Sequence, residues 1–186
     1  MRKMIFVFAF VLLSVNGAQA IEVAGTDLAP AVEVGGETLQ LNGYGIRTKF
    51  FFKIYIGSLY TNAPVSTVEE VLEDGAKLIR MNFLYSEVER HKIVDAFAEG
   101  FANNSPQMTD TDEVRAFLDW FEDDFIEGDV VDLELAADGT VTVRHNGQRL
   151  GSLQSGELAR AILLIYLGES PADESLKKGM LGRNRP

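Results

Sequence analysis

The sequence predicts a single α+β domain with an antiparallel sheet, and three patterns point to it. Segments of alternating hydrophobicity lie on both sides of a central region with helical periodicity. Short turn dipeptides separate the later segments, as in antiparallel meanders. No repeat, low-complexity tract or linker interrupts residues 21–186. One domain is therefore expected over 21–186.

Strands are expected first. Residues 32–41 alternate in hydrophobicity and lead into Asn42-Gly43, a dipeptide typical of turns. Aromatic and β-branched residues dominate from Ile46 to Tyr60, which predicts one long strand covered on both faces. A short helix from Ser66 to Asp74 and a strand from Leu78 to Leu84 complete this part.

Two helices are expected next. Ser86 and Glu89 have the spacing of a capping box, and apolar residues follow at helical spacing until the stop at residues 103–106. The same capping spacing recurs in residues 110–113, ahead of an apolar stripe that includes Phe125 and ends at Gly128. The middle of the chain is therefore predicted to be helical.

The last part is predicted to be a meander and a helix. Ser155 can cap an apolar helix that ends at Gly168. Before it, two turn dipeptides, Asp138-Gly139 and Asn146-Gly147, separate three predicted strands: 131–135, 141–144 and 150–153. The three strands should pair antiparallel.

Residues 1–20 have the features of a secretory signal peptide. Arg2 and Lys3 precede an apolar run from Met4 to Leu13, and Ala18-Gln19-Ala20 fits a signal peptidase site. The run is shorter than the about 20 residues that span a bilayer. We expect cleavage after Ala20, a location in the periplasm or outside the cell, and no stable membrane insertion.

Composition and motifs exclude several functions. The net charge of −11, which loss of Arg2 and Lys3 takes to −13, disfavours nucleic acid and anionic lipid. Cysteine is absent from the sequence, which excludes thiolate metal sites and cysteine nucleophiles. Gly43 and Gly45 lack the third glycine of a dinucleotide loop and precede a strand. We expect no cofactor and no metal site.

Isolated polar residues have simple interpretations. His91 and His145 are expected at the solvent-exposed ends of a helix and a strand. The acidic run over residues 122–129 is expected to be a solvated face, because no apolar pocket is implied around it.

The stretch from Gly43 to Tyr60 carries the chemistry. Arg47 and two lysines are interleaved with aromatic residues in an acidic chain. An arginine fork can hold a carboxylate bidentately, and the Tyr55 hydroxyl can add a hydrogen bond. The two residues would lie about 26 Å apart in one extended strand, so a bend or hairpin must join them. The spacing alone favours cations on an edge strand that discourage aggregation.

This run, Gly-x-Gly-x-Arg-x-Lys-Phe-Phe-Phe-Lys-Ile-Tyr-x-Gly-x-Leu-Tyr, resembles the signature of the chalcone isomerase-like family, in particular its bacterial secreted branch. Glu127-Gly128-Asp129, Asp138-Gly139-Thr140, the Asn146-Gly147 turn and Ile165-Tyr166-Leu167-Gly168 fit in the same order. The resemblance implies an open-faced β-sandwich, in which helices pack against an antiparallel sheet with a ligand cleft between them.

The resemblance also implies two activities. Plant chalcone isomerases close a flavanone ring, whereas plastid fatty-acid-binding members hold a carboxylate with an arginine and a tyrosine, at positions that look like Arg47 and Tyr55. The isomerases have threonine in place of Tyr55 and a tyrosine in the loop that corresponds to Asn103–Thr109, which has none here. Both departures favour binding over flavanone chemistry.

We therefore expect a non-catalytic binding protein for an amphipathic carboxylate such as a fatty acid, with a pocket that Phe52, Phe97 and Phe101 help to line. One alternative is an isomerase or lyase in which Arg47 stabilises an oxyanion. Another is an envelope interaction protein without a small ligand, in which Arg47 is exposed or paired with a carboxylate such as Glu33 or Glu37.

Overall fold

The computed structural model describes residues 20–73 and 75–185. The predicted signal peptide, apart from Ala20, lies outside the described residues, and so does Asp74. Within them, no helix combines the length and apolar character that crossing a membrane requires.

An antiparallel sheet of seven strands forms the frame, in the order β11-β10-β9-β6-β5-β4-β3. Two short ladders, β1 with β2 and β7 with β8, lie outside it. The strands are β1 Ile21–Val23, β2 Thr26–Leu28, β3 Ala31–Val34, β4 Glu37–Lys49, β5 Phe52–Thr61, β6 Lys77–Phe83, β7 Glu87–Val88, β8 Phe125–Ile126, β9 Val130–Leu135, β10 Thr140–His145 and β11 Gln148–Gln154. The predicted meander is confirmed as β9, β10 and β11.

Five α-helices accompany the sheet in the described part: α1 Val68–Val71, α2 Arg90–Asn104, α3 Asp112–Asp119, α4 Gly156–Leu167 and α5 Glu174–Lys178. A 3-10 turn at Pro106–Met108 follows α2, and a π-helical segment at Gly179–Arg183 follows α5. The predicted α+β class and the antiparallel sheet packed against helices are confirmed. So is the cap of α4, where the Ser155 side chain accepts a hydrogen bond from the Leu158 amide.

The predicted capping boxes of α2 and α3 are wrong. In place of the Ser86–Glu89 box, the chain forms β7, and Asp124 Oδ1 accepts the Arg90 amide proton at 2.7 Å. The N-cap of α3 is Thr111, whose hydroxyl accepts from the Val114 amide. In both cases the cap comes from a residue outside the predicted pair, one of them distant in sequence.

Two other predicted elements are shorter than expected. The first helix is capped by Thr67 rather than Ser66, and its box is completed by Glu70. The third helix ends at Asp119, so Phe125 lies in β8 instead of on its apolar stripe. Phe125 is nevertheless buried, because it stacks on Phe83 of β6 with ring centroids 4.8 Å apart.

The prediction that both faces are covered from Ile46 to Tyr60 is confirmed for residues 55–60 and wrong for residues 48–53, which are exposed. Tyr55 and Leu59 of β5 lie in the larger hydrophobic cluster, which packs between the sheet and the helices. Ile56 and Tyr60, which alternate with them, lie in a second cluster that the N-terminal residues help to cover. A near-continuous apolar strand is what two covered faces require.

The predicted strand from Ile46 to Tyr60 is instead the hairpin of β4 and β5. Lys49 pairs with Phe52 across a two-residue turn, and Phe50 adopts a left-handed φ of 58°. Such turns normally use glycine or asparagine at that position. A bulky residue there costs about 1–2 kcal/mol.

The predicted turn at Asn42-Gly43 is wrong, because β4 continues through it with a bulge. The Asn42 side chain donates to the Met180 carbonyl at 2.8 Å and accepts from the Val65 amide at 2.9 Å. The extra residue of the bulge therefore connects the sheet to the C-terminal segment.

The paired glycines of the signature have a packing role. A Cβ on Gly43 would lie 2.3 Å from the Gly179 carbonyl oxygen, and one on Gly45 would lie 2.7 Å from Leu176 Cα. Only glycine permits so close an approach. As a result α5 and the segment after it cover β4, and Asp173 comes near Thr48, whose amide donates to its Oδ2 at 3.4 Å.

Candidate functional site

The structure brings Arg47 and Tyr55 together. They are direct partners across the β4–β5 ladder, since the turn at Phe50-Phe51 folds the strand back on itself. Arg47 Nη1 donates to the Tyr55 hydroxyl at 3.3 Å, and its guanidinium carbon lies 5.7 Å from the Tyr55 ring centroid. The hairpin thus brings together two residues that would lie about 26 Å apart in the single extended strand that was predicted.

Arg47 is half-buried and has no carboxylate partner within ion-pairing distance among the described residues. Interaction with the Tyr55 oxygen is the largest cause that holds the pKa of Arg47 above its ordinary value, although burial opposes it. Asp173 contributes least to that shift. Its carboxylate instead accepts hydrogen bonds from the amides of Ser175 and Leu176.

The carboxylates considered for Arg47 lie elsewhere. Glu33 accepts a hydrogen bond from the Thr38 hydroxyl, and Glu37 accepts one from the Asn62 side chain. Neither forms an ion pair with Arg47. Among the described residues, the hydrogen bond of the Arg47 guanidinium is to the Tyr55 hydroxyl and not to a carboxylate.

Behind Arg47 lies a very small cavity of about 10 Å³, bounded by Tyr55, Met81, Phe97 and Tyr166. That volume holds about one water molecule and excludes an alkyl chain. Tyr166 donates from its hydroxyl to the Met81 sulfur at 3.2 Å. Burial raises the pKa of Tyr166 well above its ordinary value, and Tyr55 adds to the rise, so the hydroxyl keeps its proton.

Two open grooves meet at Arg47. The first, here called the hairpin groove, holds about 320 Å³ between the β4–β5 hairpin and α2. Its apolar walls come from Phe50, Phe52, Ile54, Tyr85, Val88 and Ile93. The second holds about 370 Å³ between α2 and the residues after α4, and Glu99, Asn103 and Ser170 make it polar.

The hairpin groove has a positive balance in an acidic protein. Arg47, Lys49 and Lys92 line it, against the single carboxylate of Glu87. Lys92 also pairs with Glu89, on the exposed start of α2. An anion is therefore favoured at the Arg47 end of the groove.

The three predicted pocket residues lie in different places. Phe52 lines the hairpin groove and contacts Tyr85 edge-on, with ring centroids 5.3 Å apart. Phe97 lines the small cavity. Phe101 is buried against Phe117 in the aromatic core and lines neither space.

Sequence reasoning missed Tyr166, Lys92 and Ile93 as residues near Arg47. Tyr166 belongs to the predicted apolar helix that ends at Gly168. Because a buried tyrosine hydroxyl needs a polar partner, that requirement could have singled it out. Lys92 and Ile93 lie in the first turn of α2. Only the packing of α2 across the hairpin reveals their position.

Two predictions about other polar residues need correction. His145 is not exposed: its side chain is 15% accessible, and its Nε2 lies 3.0 Å from Asp129 Oδ2. Asp129, the end of the acidic run, is buried and accepts from Asn146 and the Ile126 amide. Asp129 therefore connects the turn before β9 to the end of β10, where His145 and Asn146 contact it. His91 is exposed, as predicted.

No cluster of three or more His, Cys, Asp or Glu side chains suited to a metal ion occurs in residues 20–73 and 75–185. The candidate site thus consists of a guanidinium group, two tyrosine hydroxyls near it and an apolar groove beside it.

Comparison with known proteins identifies the family. Residues 20–182 match the family model described as chalcone isomerase-like. Fatty-acid-binding protein 1 of Arabidopsis thaliana is 25% identical, and the match covers 78% of this chain and 64% of the plant protein. The crystal structure of an Arabidopsis thaliana fatty-acid binding protein superimposes with a TM-score of 0.69 at 20% identity, over 88% of this chain and 96% of that one. This last likeness shows that the two share a fold. Since the family model spans most of the sequence, the chain belongs to the chalcone isomerase-like family.

Proposed function

We propose that this protein is a non-catalytic binding protein for an amphipathic carboxylate such as a fatty acid, with Arg47 as the residue that holds the head group. The observation that carries the proposal is the half-buried Arg47 fork without a carboxylate partner among the described residues, at the meeting point of two grooves. Similarity to a plant protein named for fatty-acid binding supports the same ligand class.

The head group would bind through charge and geometry together. A carboxylate can take two parallel hydrogen bonds from the free edge of a guanidinium, and such charge-assisted pairs are stronger than neutral ones. The Tyr55 hydroxyl accepts from Arg47 and can donate its own proton to a ligand oxygen. A neutral head group would leave the positive charge of Arg47 unmatched.

The tail would lie in the hairpin groove. The cavity behind Arg47 has room for about one water molecule, so it cannot receive an alkyl chain. The hairpin groove, at about 320 Å³, is at the small end of ligand sites and offers phenylalanine, isoleucine and valine walls. Each methylene removed from water there contributes about 0.8 kcal/mol.

The location is part of the proposal. Residues 1–20 would direct export and be removed, so that binding takes place in the periplasm or outside the cell. The intact mass of protein recovered from the cell envelope tests this point. We expect the mass of a chain that begins at Ile21. Recovery of the uncleaved chain in the cytosol would contradict the proposed export.

Native mass spectrometry of the exported protein is the first test of binding. A co-purifying lipid of fatty-acid mass is expected, together with calorimetric binding of a long-chain fatty acid to stripped protein. No co-purifying lipid and no heat of binding for any chain length would refute the proposed function.

Isomerase chemistry is the competing function, with Arg47 opposite an oxyanion. The structure offers Tyr166 as a further phenol, but the cavity that it lines among the described residues, about 10 Å³, is too small for a flavonoid ring system. A chalcone-consumption assay separates the two functions. Turnover that is lost in Arg47→Ala, in protein without detectable fatty-acid binding, would favour the enzyme.

A further inference from the structure

Three consecutive phenylalanines form the end of the β4–β5 hairpin. Phe50 is 85% exposed, Phe51 95% and Phe52 55%. In the described part of the chain these three account for all but one of the large apolar side chains left exposed, the other being Ile126. Lys49 and Lys53, both exposed, flank them. We call residues 49–53 the hairpin tip.

The fold explains only part of this exposure: Phe52 contacts the Tyr85 ring, and Phe50 and Phe52 line the hairpin groove. Phe50 holds a left-handed backbone conformation that glycine or asparagine adopts with less strain, and its exposed ring packs little. Phe51 lines neither the hairpin groove nor the small cavity behind Arg47. Phe51, which is 95% exposed and lies outside both spaces, therefore indicates a contact outside the folded chain.

We propose that the hairpin tip docks the protein on the surface of an anionic lipid bilayer. Phenylalanine is among the apolar side chains that peripheral membrane segments bury at the boundary between head groups and acyl chains. The flanking lysines are attracted to anionic head groups, and each one adds to the affinity for the membrane when it lies close to the surface. The hairpin tip offers both features on a two-residue turn, a narrow projection that can enter the interface without disturbing the sheet.

The overall negative charge does not prevent this contact. Screening limits the reach of exposed charges to about 10 Å, so the local balance decides. Near the hairpin tip, the four cations Arg47, Lys49, Lys53 and Lys92 are accompanied by four carboxylates, those of Glu87, Glu89, Glu99 and Asp173. The local charge is therefore close to zero, and the two lysines that flank the exposed rings belong to the tip itself. The excess acidic residues of the chain therefore weigh less at this end than the net charge suggests.

The hairpin groove is continuous with the hairpin tip. Lys49, Phe50 and Phe52 belong to both, so a docked protein would open its groove directly to the bilayer. Docking itself does not depend on the proposed fatty-acid binding, because Phe51 and Lys53 do not line the hairpin groove. Those two positions allow the two properties to be tested separately.

Vesicle flotation tests the proposal. All strands and helices of the described part lie within residues 21–183, so the chain from Ile21 onward is the protein to use. Wild type should float with vesicles of phosphatidylethanolamine and phosphatidylglycerol, less with phosphatidylcholine alone, and less again at high salt. Phe51→Ser should weaken partitioning about tenfold or more, and Lys53→Gln about fivefold.

Ile126→Ser is the matched control, because it removes an exposed apolar side chain, 56% accessible, outside the hairpin tip. It should float like wild type. Equal flotation of Phe51→Ser and wild type, or no flotation of wild type, would overturn the proposal. So would a dimer seen by sedimentation that Phe51→Ser dissociates, in protein that does not float.

Calorimetry with a fatty acid on the same variants keeps the two proposals apart. Phe51→Ser should bind the fatty acid with wild-type affinity but should no longer float with the vesicles. If wild type floats through the hairpin tip but binds no fatty acid, the proposed function fails and the docking proposal stands.

Discussion

Arg47 and Arg80 are two half-buried arginines of the same sheet, and each lies over the ring of a tyrosine. Arg80 makes a bidentate pair with Asp132, at 2.7 and 2.8 Å, and its guanidinium carbon is 5.8 Å from the Tyr60 centroid. Arg47 has the same relation to Tyr55, at 5.7 Å, but has no carboxylate partner among the described residues. The two sites differ by one carboxylate.

Under the proposed function, that difference separates a structural arginine from one that binds a ligand. The pKa of Arg80 is raised chiefly by its hydrogen bonds to Asp132, whereas Tyr55 is the main cause for Arg47. In a chain with 28 Asp and Glu against 17 Lys and Arg, carboxylates are plentiful. Arg47 remains without one, at the junction of two grooves, where a bound carboxylate can complete the arrangement seen at Arg80.

The largest expected effect is on stability, from breaking the ion pair between Arg80 and Asp132. Asp132→Ala should lower the free energy of unfolding by about 3 kcal/mol, because Arg80 is then left mostly buried without its partner. Chemical denaturation measures this. Glu134→Ala is the matched control on the same strand: its partner Arg144 is more exposed, at 37% against 21% for Arg80, so the loss should stay below about 1 kcal/mol. If Asp132→Ala unfolds at the same denaturant concentration as wild type, the Arg80–Asp132 pair does not stabilise the fold, and the contrast between Arg80 and Arg47 is lost.

Arg47→Ala should affect binding instead of folding. Loss of the charge-assisted hydrogen bonds should weaken fatty-acid binding by about 1.5–3 kcal/mol, which is more than tenfold. The free energy of unfolding without ligand should stay within about 1 kcal/mol of wild type, since no ion pair is broken. Titration calorimetry and denaturation are run on the same protein. A variant that unfolds early but binds normally would assign Arg47 a structural role.

Arg47→Lys sharpens the reason for that effect. Lysine keeps the positive charge but loses the planar fork, so its affinity for the fatty acid should fall between those of wild type and Arg47→Ala. Calorimetric dissociation constants for the three proteins give the order. Full recovery by lysine would show that charge alone suffices and that bidentate geometry is not used.

Tyr55→Phe should have the smallest effect on binding, about 1 kcal/mol, because it removes one neutral hydroxyl. Tyr60→Phe is the matched variant at the Arg80 site. The Tyr60 hydroxyl donates to the Ala29 carbonyl at 3.0 Å, so its loss should reduce stability by a similar amount and leave fatty-acid affinity unchanged. Equal affinity losses in both variants would show that neither tyrosine acts directly on the ligand.

Local patterns predicted most of the fold. The meander followed from turn dipeptides whose glycines have positive φ, 86° at Gly139 and 80° at Gly147. The same rule failed at Asn42-Gly43, where packing of the C-terminal segment imposes a bulge. It also failed at Phe50-Phe51, which has none of the usual turn residues. Both failures lie in the stretch that carries the candidate site.

The site itself was only partly predictable. The family resemblance singled out Arg47 and Tyr55, whereas their spacing alone favoured cations on an edge strand. The hairpin that pairs them lies where one long strand was predicted. The small volume behind Arg47 and the groove in front of it depend on how α2 and α4 pack across the sheet. Such distances between remote segments leave no local pattern. The absence of a carboxylate partner for Arg47 in the described part is likewise a tertiary property.

The central claim is that Arg47 binds a ligand carboxylate, and one calorimetric comparison tests it directly. A fatty acid and the fatty alcohol of equal chain length are titrated into wild type and Arg47→Ala. Wild type should prefer the acid more than tenfold, and Arg47→Ala should bind acid and alcohol alike, since the interaction it removes is specific to the carboxylate. An acid preference that persists undiminished in Arg47→Ala would contradict the account.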